Sequence, residues 1–297
     1  MSVDTKFVRQ LAVAVCSIAR TTDGPCRVHV LHDGLERADR EQVEASGSAT
    51  LGFEWIDVRD AVASAELPVA RPASMYTRLF IGEMLDPAIE RVIYLDADVV
   101  VRRSLGELWS ADLGAASLGA VRDAYMPWIV QVETIPWRDL RIPPDTAHFN
   151  SGMMVVSMRD WRRREVGSRA LGLLSASSGM LDQCALNAVL VDDWQALHPR
   201  WNVQSYHLTG AGCLAYASEG AERLDAALAD PAIVHFTLGT FNRPWQAPCS
   251  NPYRDLWLEH LDRTPWRGWR PRPAPLLSRM RRRAGRAAQV ALRGGSG

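Results

Sequence analysis

The sequence predicts an α/β protein, a sheet with helices packed on its faces. Three observations lead there. Short β-branched and aliphatic runs of strand length alternate with longer stretches of helical apolar spacing. No repeat of fixed period interrupts the alternation. The composition, 47% hydrophobic and 23% charged over 297 residues, is that of a globular chain with a sizeable core.

The elements follow in order. Phe7, Leu11, Val15 and Ile18 fall on one helical face, so residues 7–19 read as a helix. Asp4 before this segment and Arg20 after it argue against a signal-peptide core. CRVHVLHDG (26–34) reads as a strand ending in a turn, 35–45 as a helix and GFEWIDV (52–58) as a strand. SMYTRLFIGEML (74–85) is expected to be a helix capped by Ser74, followed by the strand RVIYLD (91–96). SLGAVRD (117–123), MMVVSM (153–158) and AIVHFT (232–237) are further strands, and 159–175 and LDQCALNAVL (181–190) are helical. From Pro244 the chain turns rich in Pro, Trp and Arg, and the sheet is expected to have ended.

Charge is unevenly placed. All 34 acidic residues precede Thr264, whereas nine arginines follow it, so an acidic body carries a cationic tail. The tail mixes Trp266 and Trp269 with these arginines. That combination fits either an anionic membrane surface or a solvated, disordered end, and the sequence leaves both open. No basic stripe or recognition motif in the folded part suggests nucleic acid. Five scattered cysteines without a CxxC pair fit a reducing cytoplasm better than a disulfide framework or zinc site. No apolar stretch approaches the ~20 residues that span a bilayer.

The stretch VIYLDADVVV (92–101) places Asp96 and Asp98 inside an apolar run. Burying carboxylates there costs several kcal/mol per ion unless something compensates. Asp96 closes a strand and Asp98 lies just beyond it, at the end of an α/β sheet where ligands bind. Two carboxylates suit a hard divalent cation such as Mn²⁺ or Mg²⁺. Equally, both acids can cap the turn and face water, and the DxD alone does not decide.

Further motifs follow it at long intervals: HFNSGMMVVSMRDWR (148–162), LDQCALNAVL (181–190) and IVHFTLGTFNRPW (233–245). With SMYTRLFIGEML and YLDADVVV, this ordered set resembles glycosyltransferase family 8 over about residues 2–263. The resemblance implies a GT-A-type nucleotide-diphospho-sugar transferase fold. This is a single Rossmann-like mixed sheet with helices on both faces, here with its first strand shortened to the residues before Asp4. It divides the chain into a transferase domain (1–263) and a basic tail (264–297). The activity implied is metal-dependent transfer of a hexose from a nucleotide sugar, UDP in the first instance, to a glycan or lipid-linked acceptor, with retention. A cytoplasmic enzyme, peripheral on the inner face of the membrane, is the matching expectation.

The resemblance also assigns roles. Asp96, Asp98 and His235 are the implied ligands of Mn²⁺ or Mg²⁺. Gln183 and Asp182 take the catalytic position; a carboxylate nucleophile would stand there in a retaining glycosidase. An amide oxygen is a poor nucleophile, so the Gln183 carbonyl is expected to stabilise oxocarbenium character, with Asp182 orienting the sugar. Donor contacts are implied for Asp4, which reads uracil, and for Arg78, Asp96, Asp123, Asn150, Ser151, Gly239 and Arg243. Gly152 permits close backbone approach in the FNSG turn. Arg243 stands in RPW where the family has lysine, and an arginine is not equivalent to it. The shortened first strand raises the expectation of an upstream in-frame extension.

Two other functions compete. DADVV fits the haloacid-dehalogenase pattern DxDx[TV], but 95 residues precede Asp96 and Lys6 is the only lysine, whereas that chemistry uses a first-strand acid and a later lysine. The shortened strand also fits a nucleotide-sugar binding protein without turnover.

Overall fold

The computed structural model describes residues 1–65, 67, 73–177, 179–209, 221–237, 241 and 243–273. The chain begins with β1 (Ser2–Val3), α1 (Val8–Thr21), β2 (Cys26–His32), α2 (Arg37–Glu44), β3 (Leu51–Asp57) and α3 (Arg59–Ser64). Then follow α4 (Ile81–Met84), β4 (Arg91–Leu95), β5 (Val99–Val101), α5 (Gly106–Trp109), β6 (Leu118–Arg122) and β7 (Phe149–Ser157). The later elements are α6 (Met158–Arg163), α7 (Val166–Ala176), α8 (Asp182–Val189), β8 (Trp194–Ala196), β9 (Val203–Gln204), α9 (Ala221–Ala229), β10 (Ile233–His235) and α10 (Arg254–Leu261).

The main sheet has the order β3-β2-β1-β4-β7-β6-β8, with the β1–β4 junction made by a bridge between Ser2 and Asp96. Within it β7 runs antiparallel to both its neighbours and the other pairings are parallel. The strand β7 is buried on both faces, which is why MMVV (153–156) reads as an unbroken apolar run. Met154 and Val156 face the core under α7 and α8, and Met153 and Val155 face the core under α1. A second sheet, β5-β10-β9, branches from the DxD turn and packs on α10 through Val100, Val234, Phe236 and Trp257. Strand patterning alone does not separate it from the main sheet, because its strands are as apolar as the others.

Two helix expectations change. Residues 74–85 form two 3-10 turns, Ala73–Met75 and Thr77–Phe80, and only then the short α4. Ser74 is no N-cap; its hydroxyl donates to Asp4 Oδ2 at 3.2 Å. The helix expected over 159–175 is broken between α6 and α7 by Glu165 in the left-handed region (φ 52°), a conformation no residue there advertises. Trp266 and Trp269, offered above to a membrane, pack against the folded body. Arg9 lies over the Trp269 ring at 4.3 Å and Arg270 pairs with Asp262 at 2.6 Å. Residues 274–297 lie outside those described. Among the described residues no helix is long and apolar enough to cross a membrane.

The short first strand leaves a mark. Ser2 pairs with Leu31 and bridges Asp96, and Met1 continues the ladder: its ammonium donates to the His29 carbonyl (2.8 Å) and its carbonyl accepts from Leu31 N–H (2.9 Å). Beyond Met1 the facing stretches of β2 and β4 part around a cavity of about 970 Å³, lined by Val28, Ile93, Leu85 and Trp109 among others. In that register, four further strand residues would pair with Cys26–His29 on one side and lie level with Arg91–Tyr94 on the other.

Candidate active site

The site forms where β1 and β4 end side by side, the point at which strand order reverses and α/β sheets bind ligands. Asp96 follows β4 and Asp98 precedes β5, so the DADVV turn crosses from one sheet to the other. His235 closes β10, whose neighbour Phe236 donates its N–H to the Asp98 carbonyl at 2.9 Å. One ligand atom each from Asp96, Asp98 and His235 lies within 4.8 Å of the others. His235 Nε2 stands 3.1 Å from Asp98 Oδ1 and 3.7 Å from Asp96 Oδ2. Burial pushes the Asp98 carboxyl up, but the His235 imidazole and the Arg243 guanidinium, 3.9 Å away, outweigh it and hold the group below the usual carboxylate range. Asp98 and His235 are 9% and 4% exposed, so water alone does not solvate this charge.

Arg78 holds the second acidic pair. It lies on a 3-10 turn, not an α-helix, and is buried. Its guanidinium pairs with Asp182 (2.6 Å) and Asp96 (3.0 Å) and donates to the carbonyl and hydroxyl of Ser151 (2.8 and 2.9 Å). It also lies 4.9 Å from the Tyr94 ring. Burial opposes the Arg78 charge, but Asp182 and Asp96 outweigh burial and raise its pKa further. Burial raises the Asp182 carboxyl, with Arg78 pulling the other way and Asp96 adding to the rise. Burial also lifts the Tyr94 phenol far up, so it stays a donor to Asp96 Oδ1 at 3.0 Å.

The FNSG stretch at the start of β7 joins the two halves. Pairing with β6 shifts between Ala120 and Val121, whose partners are Met154 and Asn150, and this turns residues 151–153 away from β6. The Gly152 carbonyl then accepts the Asp96 N–H (2.8 Å). A Cβ on it would stand 2.1 Å from His235 Cε1 and 2.7 Å from Asp96 Oδ2, so close packing and not a special φ requires glycine. Gln183, in the first turn of α8, accepts from Ser151 N–H at 3.1 Å and donates to Asp123 Oδ2 at 3.0 Å. Asp123 also accepts from Asn150 Nδ2 (3.1 Å) and from the N–H groups of Tyr125 and Met126 (both 2.9 Å).

The remaining expected residues sit around this assembly. Asp4 accepts from the N–H groups of Lys6 and Phe7 and from Ser74, so its carboxylate shapes the entry to α1. Arg243 lies by Asp98 and over the rings of Trp245 and Phe7 (5.6 and 6.0 Å). Gly239 lies outside the described residues. Tyr94 and Asn202 were missed by the sequence reading: Tyr94 hides in an apolar run and Asn202 in a 3-10 turn that carries no motif.

A model of the family "Glycosyl transferase family 8" matches residues 1–249. The chain belongs to glycosyl transferase family 8. It is an enzyme of the retaining glycosyltransferase type, and its Asp96, Asp98 and His235 form a candidate metal site. General stress protein A of Bacillus subtilis (strain 168) is 28% identical over 284 residues, covering 89% of this chain and 92% of that protein. Glycosyltransferase GlyD of Streptococcus pneumoniae serotype 4 is 30% identical over 275 residues, covering 87% of this chain but 30% of GlyD. The galactosyltransferase LgtC, solved with donor and acceptor sugar analogs, superposes with a TM-score of 0.72 at 24% identity, covering 93% of this chain and 97% of LgtC. That match shows the GT-A-type fold. An active-site glutamine-to-glutamate mutant of LgtC superposes with the same TM-score, 0.72, at 24% identity.

Proposed function

We propose that the protein transfers a hexose from a UDP-sugar to a glycan or lipid-linked acceptor with retention of anomeric configuration, and that it uses Mn²⁺ or Mg²⁺. The observation that supports this reading is the chemistry of the Asp96–Asp98–His235 donor set. The His235 Nδ1 lies 2.9 Å from Asn202 Oδ1, while Nε2 faces two carboxylates. Two hard oxygens and one imidazole nitrogen suit Mn²⁺ or Mg²⁺ better than a soft metal. When bound, such a cation offsets the charge that develops on a departing nucleotide diphosphate.

The chain's own groups have distinct parts in this proposal. Arg78 holds Asp96 and Asp182 in place from below, and Arg243 adds positive charge beside Asp98 for the phosphates. Asp4 is assigned to the base and Gly239 to the donor, both by the family pattern. Asp123, Asn150 and Ser151 take sugar hydroxyls. Gln183 presents its carbonyl oxygen, which accepts from Ser151 N–H (3.1 Å) and more distantly from the Ser151 hydroxyl (3.4 Å), to positive charge at the anomeric carbon. The acceptor then attacks from the leaving-group face, and the departing phosphate takes its proton.

Acceptor binding is assigned to the aromatic pair beyond Asp123. Tyr125 is 55% exposed and stacks on Tyr206 with ring centroids 4.3 Å apart. Trp137 packs against the core and Trp128 lies under Arg122 (4.6 Å), so neither of these nearby tryptophans offers as open a face.

Mn²⁺ and a panel of nucleotide sugars test the reading: slow donor hydrolysis that chelation abolishes is expected, and phosphate release from simple esters with no donor turnover overturns it. Gln183→Ala should lower kcat ~10²-fold with donor KM nearly unchanged, as for one preorganised polar group acting in the transition state. Gln183→Glu would set a second carboxylate about 3 Å from Asp123 and should be no more active. Unchanged kcat in Gln183→Ala would move the central role to Asp182.

A further inference from the structure

The polar groups behind His235 form a chain whose direction is fixed at both ends. Asp123 is a carboxylate and accepts only, so the Asn150 group 3.1 Å from its Oδ2 is the amide NH₂. The other end of that amide, Asn150 Oδ1, accepts from the backbone N–H of Gly152 at 3.1 Å, a donor that cannot be reversed. Asn202 therefore turns its NH₂ to Asn150 Oδ1 (2.9 Å) and its carbonyl oxygen to His235 Nδ1 (2.9 Å). Turning Asn150 over would set its oxygen against Asp123 and its NH₂ against the Gly152 N–H, and turning Asn202 over would set its oxygen against Asn150 Oδ1. All four side chains are at most 7% exposed, so water cannot repair such a mismatch, and each unsatisfied group costs on the order of 1–3 kcal/mol.

We infer that Asn202 is a positioning residue that fixes the tautomer of His235. Its oxygen requires a proton on Nδ1, so Nε2, the nitrogen 3.1 Å from Asp98 and 3.7 Å from Asp96, is the one left to give a lone pair to a cation. The opposite tautomer would spend an Nε2–H on Asp98 and leave no nitrogen lone pair for a cation. Asp123 thus acts on the metal side of the site through two amides, as well as on Gln183 directly. Imidazole ligands are commonly held this way by an acceptor on their other nitrogen; here the acceptor is a neutral amide whose own direction is set by Asn150, 52 residues earlier in the sequence, and through it by Asp123, a further 27 residues back. The role toward a cation rests on the metal reading above, whereas the tautomer does not.

The test uses the full chain with ¹⁵N-labelled histidine. At pH 8 without metal, the His235 ring should carry a proton on Nδ1, whether or not Nε2 shares one with Asp98; an unprotonated Nδ1 overturns the inference. Asn202→Leu removes the oxygen and should mix or reverse the tautomer and weaken Mn²⁺ binding, followed by calorimetry, ~10–100-fold. Asn202→Asp keeps an acceptor for Nδ1–H, and should keep both the tautomer and an affinity within a few-fold of the native chain. Native tautomer and affinity in a folded Asn202→Leu overturn the inference. If that variant does not fold, loss of the Nδ1–H tautomer in Asn202→Asp does so instead. A native chain with the stated tautomer that binds no Mn²⁺ would sink the metal reading and leave the role of Asn202 standing.

Discussion

Asp98 and Asp123 are both nearly buried acids at the same edge of the molecule, and their surroundings differ in kind. Around Asp123 the hydrogen-bond partners among the described residues are neutral N–H groups: the amides of Asn150 and Gln183 and the backbone of Tyr125 and Met126. Four donors engage the roughly four acceptor positions of a carboxylate, so this charge is balanced within the protein, and a sugar hydroxyl has to share a lone pair already engaged. Asp98 instead faces an imidazole, a guanidinium 3.9 Å away and a second carboxylate across that imidazole. Nothing there consumes both acids by fixed dipoles. One acid anchors the orientation of its neighbours, and the other keeps unspent charge for a ligand.

If that contrast holds, substitutions at the two positions should fail differently. Asp98→Asn removes charge from the site without removing a structural anchor. Divalent-dependent turnover should fall by ~10²–10³, the scale of losing one main electrostatic group, while the thermal midpoint stays within a few degrees. Near-native Mn²⁺-dependent kinetics in that variant would erase the distinction. Asp123→Asn should do the opposite in stability: an amide NH₂ would meet the NH₂ groups of Gln183 or Asn150, or the two backbone N–H groups. A loss of ~2–3 kcal/mol by urea denaturation is expected, because a buried mismatch leaves donors unpaired. A variant as stable as the native chain would show that Asp123 anchors nothing.

A smaller effect comes from His207, beside Asp123. Its Nδ1 accepts the Gln204 N–H at 3.0 Å, and burial lowers its pKa to about 4 from 6.5, with Asp123 pulling the other way. The unfolded chain binds a proton below pH 6.5 and the folded chain does not until about pH 4, so stability is lost as pH falls through that window. From pH 7 to pH 5 the loss from this residue is ~2 kcal/mol. Asn at this position keeps an acceptor but cannot titrate, so His207→Asn should flatten the pH dependence of the urea midpoint by that amount.

The smallest effect concerns the gap between β2 and β4. Four β-branched residues added before Met1 would lengthen β1 into the cavity of about 970 Å³ and pair with Cys26–His29. A rise in Tm of ~2–4 °C, about 1 kcal/mol for a chain of this size, should accompany tighter donor binding, because β1 leads into Asp4. A fall in both would mean that the extension cannot enter the sheet.

Local pattern determined a good part of this protein. Period-two and period-3.6 spacing marked β2, β3, β4, β6, β7, α1 and α8 within a few residues, because burial on one or both faces leaves its trace in consecutive side chains. The DxD, FNSG and LDQ stretches and His235 marked the site residues, since each is a short word at an element end. Tertiary structure decided who balances whom. Asp98 meets His235 across 137 positions and Arg78 meets Ser151 across 73, distances over which no periodicity carries information. The inward turn of Arg78 depends on 3-10 geometry at residues 77–80, and the break at Glu165 on packing between α6 and α7, neither of which has a residue signature. Asn202 is the clearest case. Nothing in WNVQ distinguishes it, yet its direction follows from an aspartate, an asparagine and a glycine on two other strands, because an amide buried without water takes its polarity from whatever surrounds it.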